Sequence, residues 1–155
     1  MMHVLLAAAL ILSPSQVLSA QEVAAAAVID RMHLAASQAD GSVYFGTFTD
    51  DARFIGTDAG ERWTLSEFKA YAEPHFNQGR GWTYRVTQRH LEILDQPCRC
   101  VAVFDEVLDN DSYGQVRGSG VVVKQGEDWK IQQYVLSFTV PNDKAHEVVA
   151  VIKAD

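Results

Sequence analysis

The sequence predicts an α+β fold in which helices cover one face of a bent antiparallel sheet. Helical periodicity dominates the first half of the chain. Long runs rich in β-branched and aromatic residues, separated by short turns with Gly and Asp, fill the second half. Helices followed by a strand meander is the order of an α+β domain. The 155 residues, 48% hydrophobic and 21% charged, suit one globular domain with a substantial core. No internal repeat, linker or second domain is visible.

The elements follow in order. Val4 to Leu12 form an apolar run, well below the roughly 20 residues of a membrane span. Pro14, Ser15 and Gln16 break it, and Ser19 and Ala20 offer small residues for cleavage. Residues 1–20 therefore read as a signal peptide, which leaves a domain over residues 21–155 and a periplasmic or secreted protein. Glu22 to Gln38 reads as a long helix, with Ile29, Met32 and Ala36 at helical spacing and Val28 and Ala35 widening the stripe. Asp40-Gly41-Ser42 breaks it, and a short second helix pairs Tyr44 with Phe48. Asp50 to Trp63 reads as a hairpin turning at Asp58-Ala59-Gly60. Thr64 and Glu67 have capping-box spacing before a third helix, which carries Phe68, Tyr71, Ala72, His75 and Phe76 on one face. Pro74 is expected to end or kink it.

Beyond the Gly79-Arg80-Gly81 loop, Trp82 to Leu94 is one long β segment. Its apolar alternation changes phase between Val86 and Leu91, which predicts a bulge or bend. Further strands are expected over Cys100–Leu108, Gln115–Lys124 and Trp129–Val140, and a short helix over Lys144–Lys153.

Thirteen Lys and Arg against twenty Asp and Glu give a net charge of −7. That balance argues against a nucleic-acid partner, which wants a basic face, and against anionic membranes. Cys98 and Cys100 would close a very small ring, strained if both sat on a regular strand. The pair reads as structural or incidental, with a disulfide or redox role as the alternative. His3, His33, His75, His90 and His146 show no metal-ligand spacing. Asp109 to Gly114 opens like a calcium loop, but its twelfth position is Gly120 and its flanks read as strands. No metal or cofactor is expected.

Strict alternation on the last strand puts Trp129, Ile131, Gln133, Val135 and Ser137 on one face. Lys130, Gln132, Tyr134, Leu136 and Phe138 take the other. Both faces then carry large apolar groups, which predicts a homodimer, or else a cover by the C-terminal helix. On the preceding strand Arg117, Ser119, Val121 and Val123 share a face, opposite Gly118 and Gly120. Arg117 and Ser119 are expected near Gln133 in a cavity.

Several blocks in order carry a family resemblance. They are Phe54 to Trp63, Phe68 with Pro74-His75-Phe76, Gly81-Trp82-Thr83-Tyr84, Phe104-Asp105-Glu106, Arg117-Gly118-Ser119-Gly120, and Trp129 to Tyr134 ending in Val140-Pro141-Asn142. Over roughly residues 25–150 the chain resembles the SnoaL-like branch of the nuclear transport factor 2-like superfamily. The resemblance implies a cone-shaped, strongly curved antiparallel sheet wrapped around the N-terminal helices, with a pocket at the mouth. Relatives include isomerases, dehydratases, epoxide hydrolases and polyketide cyclases, and also pure binding or assembly modules, so the fold leaves function open.

An isomerase-type site needs a carboxylate base and a donor to the developing enolate oxygen. Asp105 or Glu106 is the candidate base, since one of two neighbours on a strand faces inward; both could instead be solvated or paired with Arg117. Tyr71, Tyr84 or Tyr134 is the candidate donor. A hydrolase relay would draw on Asp105, Arg117 and Asp58, and a dehydratase-type pair on His75 or His90. Trp63 and Trp82 are expected at an aromatic pocket for a small, mostly apolar ligand, with Arg117, Ser119, Gln133, Tyr71, His75 and Tyr84 around it. The leading expectation is a small-molecule-binding domain. The alternatives are an isomerase, dehydratase or cyclase, and a dimerising module with a vestigial pocket.

Overall fold

The computed structural model describes residues 18–154. The expected signal peptide lies almost wholly outside the described residues. Helix α1 spans Ala20–Ser37, with Ser19 and Glu22 closing a capping box at its start. Its stripe is the expected one: Ala25, Val28, Ile29, Met32, Ala35 and Ala36 are buried, and His33 is buried with them. Helix α2 covers Gly41–Gly46, capped by Asp40. Phe48, expected on that helix, instead opens strand β1 (Phe48–Ile55). Strand β2 (Arg62–Thr64) returns antiparallel to β1, with Phe54 opposite Trp63, as the hairpin reading requires.

Helix α3 (Leu65–Phe76) starts at the Thr64–Glu67 capping box and runs two residues past Pro74. Strands β3 (Arg85–Ile93), β4 (Val101–Asn110), β5 (Gly114–Gln125) and β6 (Asp128–Phe138) form an antiparallel meander. A 3₁₀ turn, Asn142–Lys144, leads into α4 (Ala145–Ile152).

The six strands lie in the order β2-β1-β6-β5-β4-β3. Two features correct the expected cone. The sheet is open, because β2 and β3 are separate edges with four strands between them, and closure would require the edges to meet. It is also mixed, because β1 runs parallel to β6. The sequence shows the local β1–β2 hairpin but not which distant strand β1 joins. What holds is the class: an α+β domain with α1 and α3 packed on one face of a sheet.

A bulge in β3 and another in β6 set the faces of those strands. Thr87 is the extra residue between Val86 and Gln88, where the phase change was expected. A second lies at Gln132, since Val122 pairs with Ile131 but Val121 pairs with Gln133. One extra residue flips every later side chain to the other face. Trp129 and Ile131 before the bulge, and Tyr134 and Leu136 after it, are therefore all buried on the helix side. Strict alternation had divided these four between two faces. Gln133, expected with Trp129 and Ile131, moves to the outer face.

The core is largely aromatic at the α2–α3 end. The Tyr44 ring packs against Phe45, Phe48, Phe68, Phe76 and Trp82. Phe54 stacks on Phe68 with ring centroids 3.8 Å apart. Cys98 and Cys100 form a disulfide. They lie in the turn between β3 and β4, not on a strand, and Arg99 between them takes a left-handed backbone with φ 45°. The turn removes the objection that a regular strand would raise.

Candidate functional site

A cavity of about 340 Å³ lies between the helices and the inner face of the sheet. That is at the lower end of the roughly 300–1,000 Å³ of small-molecule sites. Its wall is a set of nearly parallel rings. Phe54 faces Phe68 at 12° and Tyr134 at 17°, and Trp63 faces Phe68 at 11° and Tyr71 at 24°. Trp82 and Tyr84 line it as well, delivered by the loop after α3. That loop is held against the end of α1, where Trp82 N–H donates to Ala36 O at 3.2 Å. A Cβ on Gly81 would strike the same carbonyl, so only glycine allows this approach.

The chemistry of the cavity centres on Glu106. Its side chain is fully buried on the inner face of β4, in series with Ala102, Phe104 and Leu108. A buried carboxylate needs donors, and Glu106 has three. His33 Nε2 lies 2.6 Å from Oε1, Tyr134 donates its hydroxyl to Oε1 at 3.1 Å, and Arg89 Nε donates to Oε2 at 2.8 Å. Arg89 Nη1 also donates to Asp30 on α1 at 2.6 Å, so the network runs from the surface of α1 inward. Gly118, directly opposite Glu106 in the β4–β5 register, makes room for it: a Cβ there would collide with the Tyr134 hydroxyl and crowd Glu106 Oε1.

These contacts fix protonation. Burial pushes the Glu106 carboxyl up, but the His33 hydrogen bond and the Arg89 charge outweigh it and hold it below the ordinary glutamate value. Glu106 is thus an anion, and His33 Nε2 is the donor in their bond. The other imidazole nitrogen, Nδ1, has no hydrogen-bond partner among the described residues, and His33 lines the cavity. Burial, then the nearby Glu106 charge, keep the Tyr134 phenol well above its usual range. Burial raises Tyr84 to about 12. Tyr84 is therefore a neutral phenol, and its hydroxyl has no partner among the described residues.

The expected site residues divide cleanly. Trp63, Tyr71, His75 and Tyr84 line the cavity. Arg117, Ser119 and Gln133 do not. Arg117 lies on the outer face, paired with Asp105 at 2.8 Å, and both side chains are more than 40% exposed. Asp105, opposite Ser119, is therefore excluded as a cavity base. The expectation had the alternation of β5 right but its inner face wrong: the face bearing Gly118 and Gly120 is the packed one. Glu106 does point inward, yet it sits behind His33 and Tyr134 and does not line the cavity. His90 is exposed on the outer side, opposite Asp105.

The residues missed are His33 and Arg89. His33 stands at i+4 from Ile29 and i−3 from Ala36, inside the apolar stripe of α1, and a histidine there must be buried and needs a partner. Arg89 carried no comparable signal. Among the described residues no three His, Cys, Asp or Glu stand close enough to hold a metal ion, and no helix is long and apolar enough to cross a membrane.

Residues 25–141 match the family model of the SnoaL-like domain. This chain belongs to the SnoaL-like domain family. Solved structures agree on the fold. A nuclear transport factor 2-like protein of unknown function from Pseudomonas putida superposes with a TM-score of 0.66 at 15% identity, covering 81% of this chain and 91% of that one. A candidate scytalone dehydratase from Novosphingobium aromaticivorans gives 0.62 at 13% identity, over 77% and 85%. A candidate ketosteroid isomerase from Shewanella frigidimarina gives 0.59 at 16% identity, over 74% and 94%. At these identities the likeness speaks to the SnoaL-like fold alone. None of the curated proteins matches the chain.

Proposed function

We infer that this SnoaL-like domain binds a small, mostly apolar organic molecule in its cavity and moves a proton on it, as an isomerase- or dehydratase-type enzyme would. The observation that carries the reading is the buried His33–Glu106 pair beneath an aromatic cavity, with the free Tyr84 hydroxyl at the same cavity. His33 Nδ1 takes a proton from carbon next to a carbonyl. Glu106 meets the positive charge that forms on the imidazole and keeps the ring oriented. Tyr84 donates a hydrogen bond to the developing enolate oxygen. Glu106 acts through His33 and does not itself reach the substrate.

The test uses β-tetralone, a bicyclic ketone with acidic α-protons, and follows their exchange in heavy water by NMR. The protein is expected to accelerate exchange over buffer. His33→Gln and Tyr84→Phe should each lower the acceleration by about a hundredfold, the lower end for a positioned acid or base. Binding of β-tetralone without faster exchange would leave a pure binding domain. Neither binding nor exchange, with β-tetralone or any tested ring compound, would leave a vestigial pocket.

Two further readings are proposed on separate grounds. Export to an oxidising compartment is supported by the Cys98–Cys100 disulfide, since such bonds are rare in the reducing cytosol. N-terminal sequencing of the mature protein tests it, and an intact Met1 would sink it. Homodimerisation is supported by the outer sheet face, where no helix among the described residues covers Val103, Val121 and Val135.

A further inference from the structure

The cavity has a polarity that the proposed reaction does not use. Its floor is formed by the buried Tyr134 and His33, and its rim by the exposed Tyr71, Tyr113 and Arg80. Of the titratable groups lining it, His33 is hydrogen-bonded to Glu106. Glu61 is held in its own turn, where its carboxylate accepts the Asp58 N–H and packs under Gly56. Arg80 differs. It is the one lysine or arginine among the described lining residues. Arg80, like the other arginines outside the ion pairs of Arg85, Arg89 and Arg117, has no acidic partner among the described residues.

Its position is nevertheless fixed. The Arg80 N–H donates to His75 O at 3.0 Å, and the residue is flanked by Gly79 at φ 69° and by Gly81, wedged against Ala36. The backbone thus holds Arg80, which has no acidic partner among the described residues, at the wall of a cavity lined by parallel rings. Guanidinium is the side chain best shaped for a carboxylate, which it grips with two parallel hydrogen bonds.

We propose that the cavity selects a planar aromatic or conjugated carboxylate, its ring stacked on the Phe54–Trp63–Phe68 wall and its carboxylate paired with Arg80 at the mouth. The inference rests on the cavity being a small-molecule site and deepens that reading by naming the ligand's charge and shape. A ring ketone with an α C–H at the opposite end of such a ligand would face Tyr84 and His33, where the proton chemistry proposed above operates. Arg80 is a specificity residue in this scheme, not a catalytic one.

The experiment compares naphthalene carboxylate, naphthalene carboxamide and naphthalene, binding being read from the fluorescence of Trp63 and Trp82 and from calorimetry. The carboxylate is expected to bind about tenfold more tightly than the amide, the scale of a partly exposed charge-assisted pair, and to weaken as salt is added. Arg80→Gln should erase that preference while leaving amide affinity and circular dichroism unchanged. Equal affinity for carboxylate and amide in the wild type, or a preference that survives in Arg80→Gln, overturns the carboxylate assignment and leaves the cavity reading intact. If none of the three compounds binds the wild type, the cavity reading and the assignment fall together. Trp63→Ala separates cavity binding from surface binding: affinity that survives it lies outside the cavity and overturns the proposal.

Discussion

At the residue scale the molecule turns on one buried charge. Glu106 has a proton affinity lower in the folded chain than in the unfolded one, so the unfolded chain takes up the proton first as pH falls. Its contribution to stability is whole above the ordinary carboxylate value of about 4.3 and is lost as pH drops through its lower folded value. Glu106→Gln leaves the Arg89 guanidinium with the exposed Asp30 as its one acidic partner among the described residues, and breaking a buried pair costs about 3–5 kcal/mol. Urea midpoints measured from neutral to acid pH should show the variant less stable at pH 7 and the gap narrowing as the wild type loses its advantage. A gap independent of pH would contradict an ionised Glu106. Gly118 gives a second test. Gly118→Ala should destabilise by about 1–3 kcal/mol, as overpacking does, and by clearly less in a Tyr134→Phe background, where the colliding hydroxyl is gone. Additive effects of the two changes would show that the hydroxyl is not the obstacle. Glu106 was visible in the sequence as one of a pair, and Tyr84 and Tyr134 as donors. The role of Glu106 was not visible, because it depends on a histidine 73 positions away in the chain.

At the element scale, local signals read well and registers did not. The Thr64–Glu67 capping box was legible because both partners lie within four residues, and the structure contains it as written. Thr64→Ala should lower stability by about 1 kcal/mol in thermal or denaturant unfolding, and an unchanged midpoint would remove the cap from the account. The bulge in β3 was legible because the apolar alternation itself slips. The bulge at Gln132 was not, because residues 129–138 alternate acceptably in either phase when read alone. Only pairing with β5 shows that Trp129, Ile131, Tyr134 and Leu136 share one face. Arg117 and Gln133 were assigned inward for the same reason: alternation tells which residues share a face, not which face meets the helices.

At the scale of the whole molecule, the described helices α1 and α3 cover one face of the sheet and leave the other without a helix layer among the described residues. The helix layer accounts for Trp129, Ile131, Tyr134 and Leu136 of β6, so the outer valines are what a partner subunit would cover. Light scattering after size exclusion should give a dimer for the wild type and a monomer for Val121→Lys, with unchanged circular dichroism; a monomeric wild type at high concentration would contradict the dimer. The sequence by itself determined the α+β class, nearly every element, the aromatic character of the cavity and the family, because helix stripes, caps, turns and block order are local or linear properties. Only the tertiary structure decided that the sheet is open and mixed, that Arg117 and Asp105 lie outside, and that His33, Glu106, Arg89 and Tyr134 form one network. Those outcomes depend on which distant strands pair and in what register. That choice is made by the burial of whole faces at once, which no single stretch of the chain encodes.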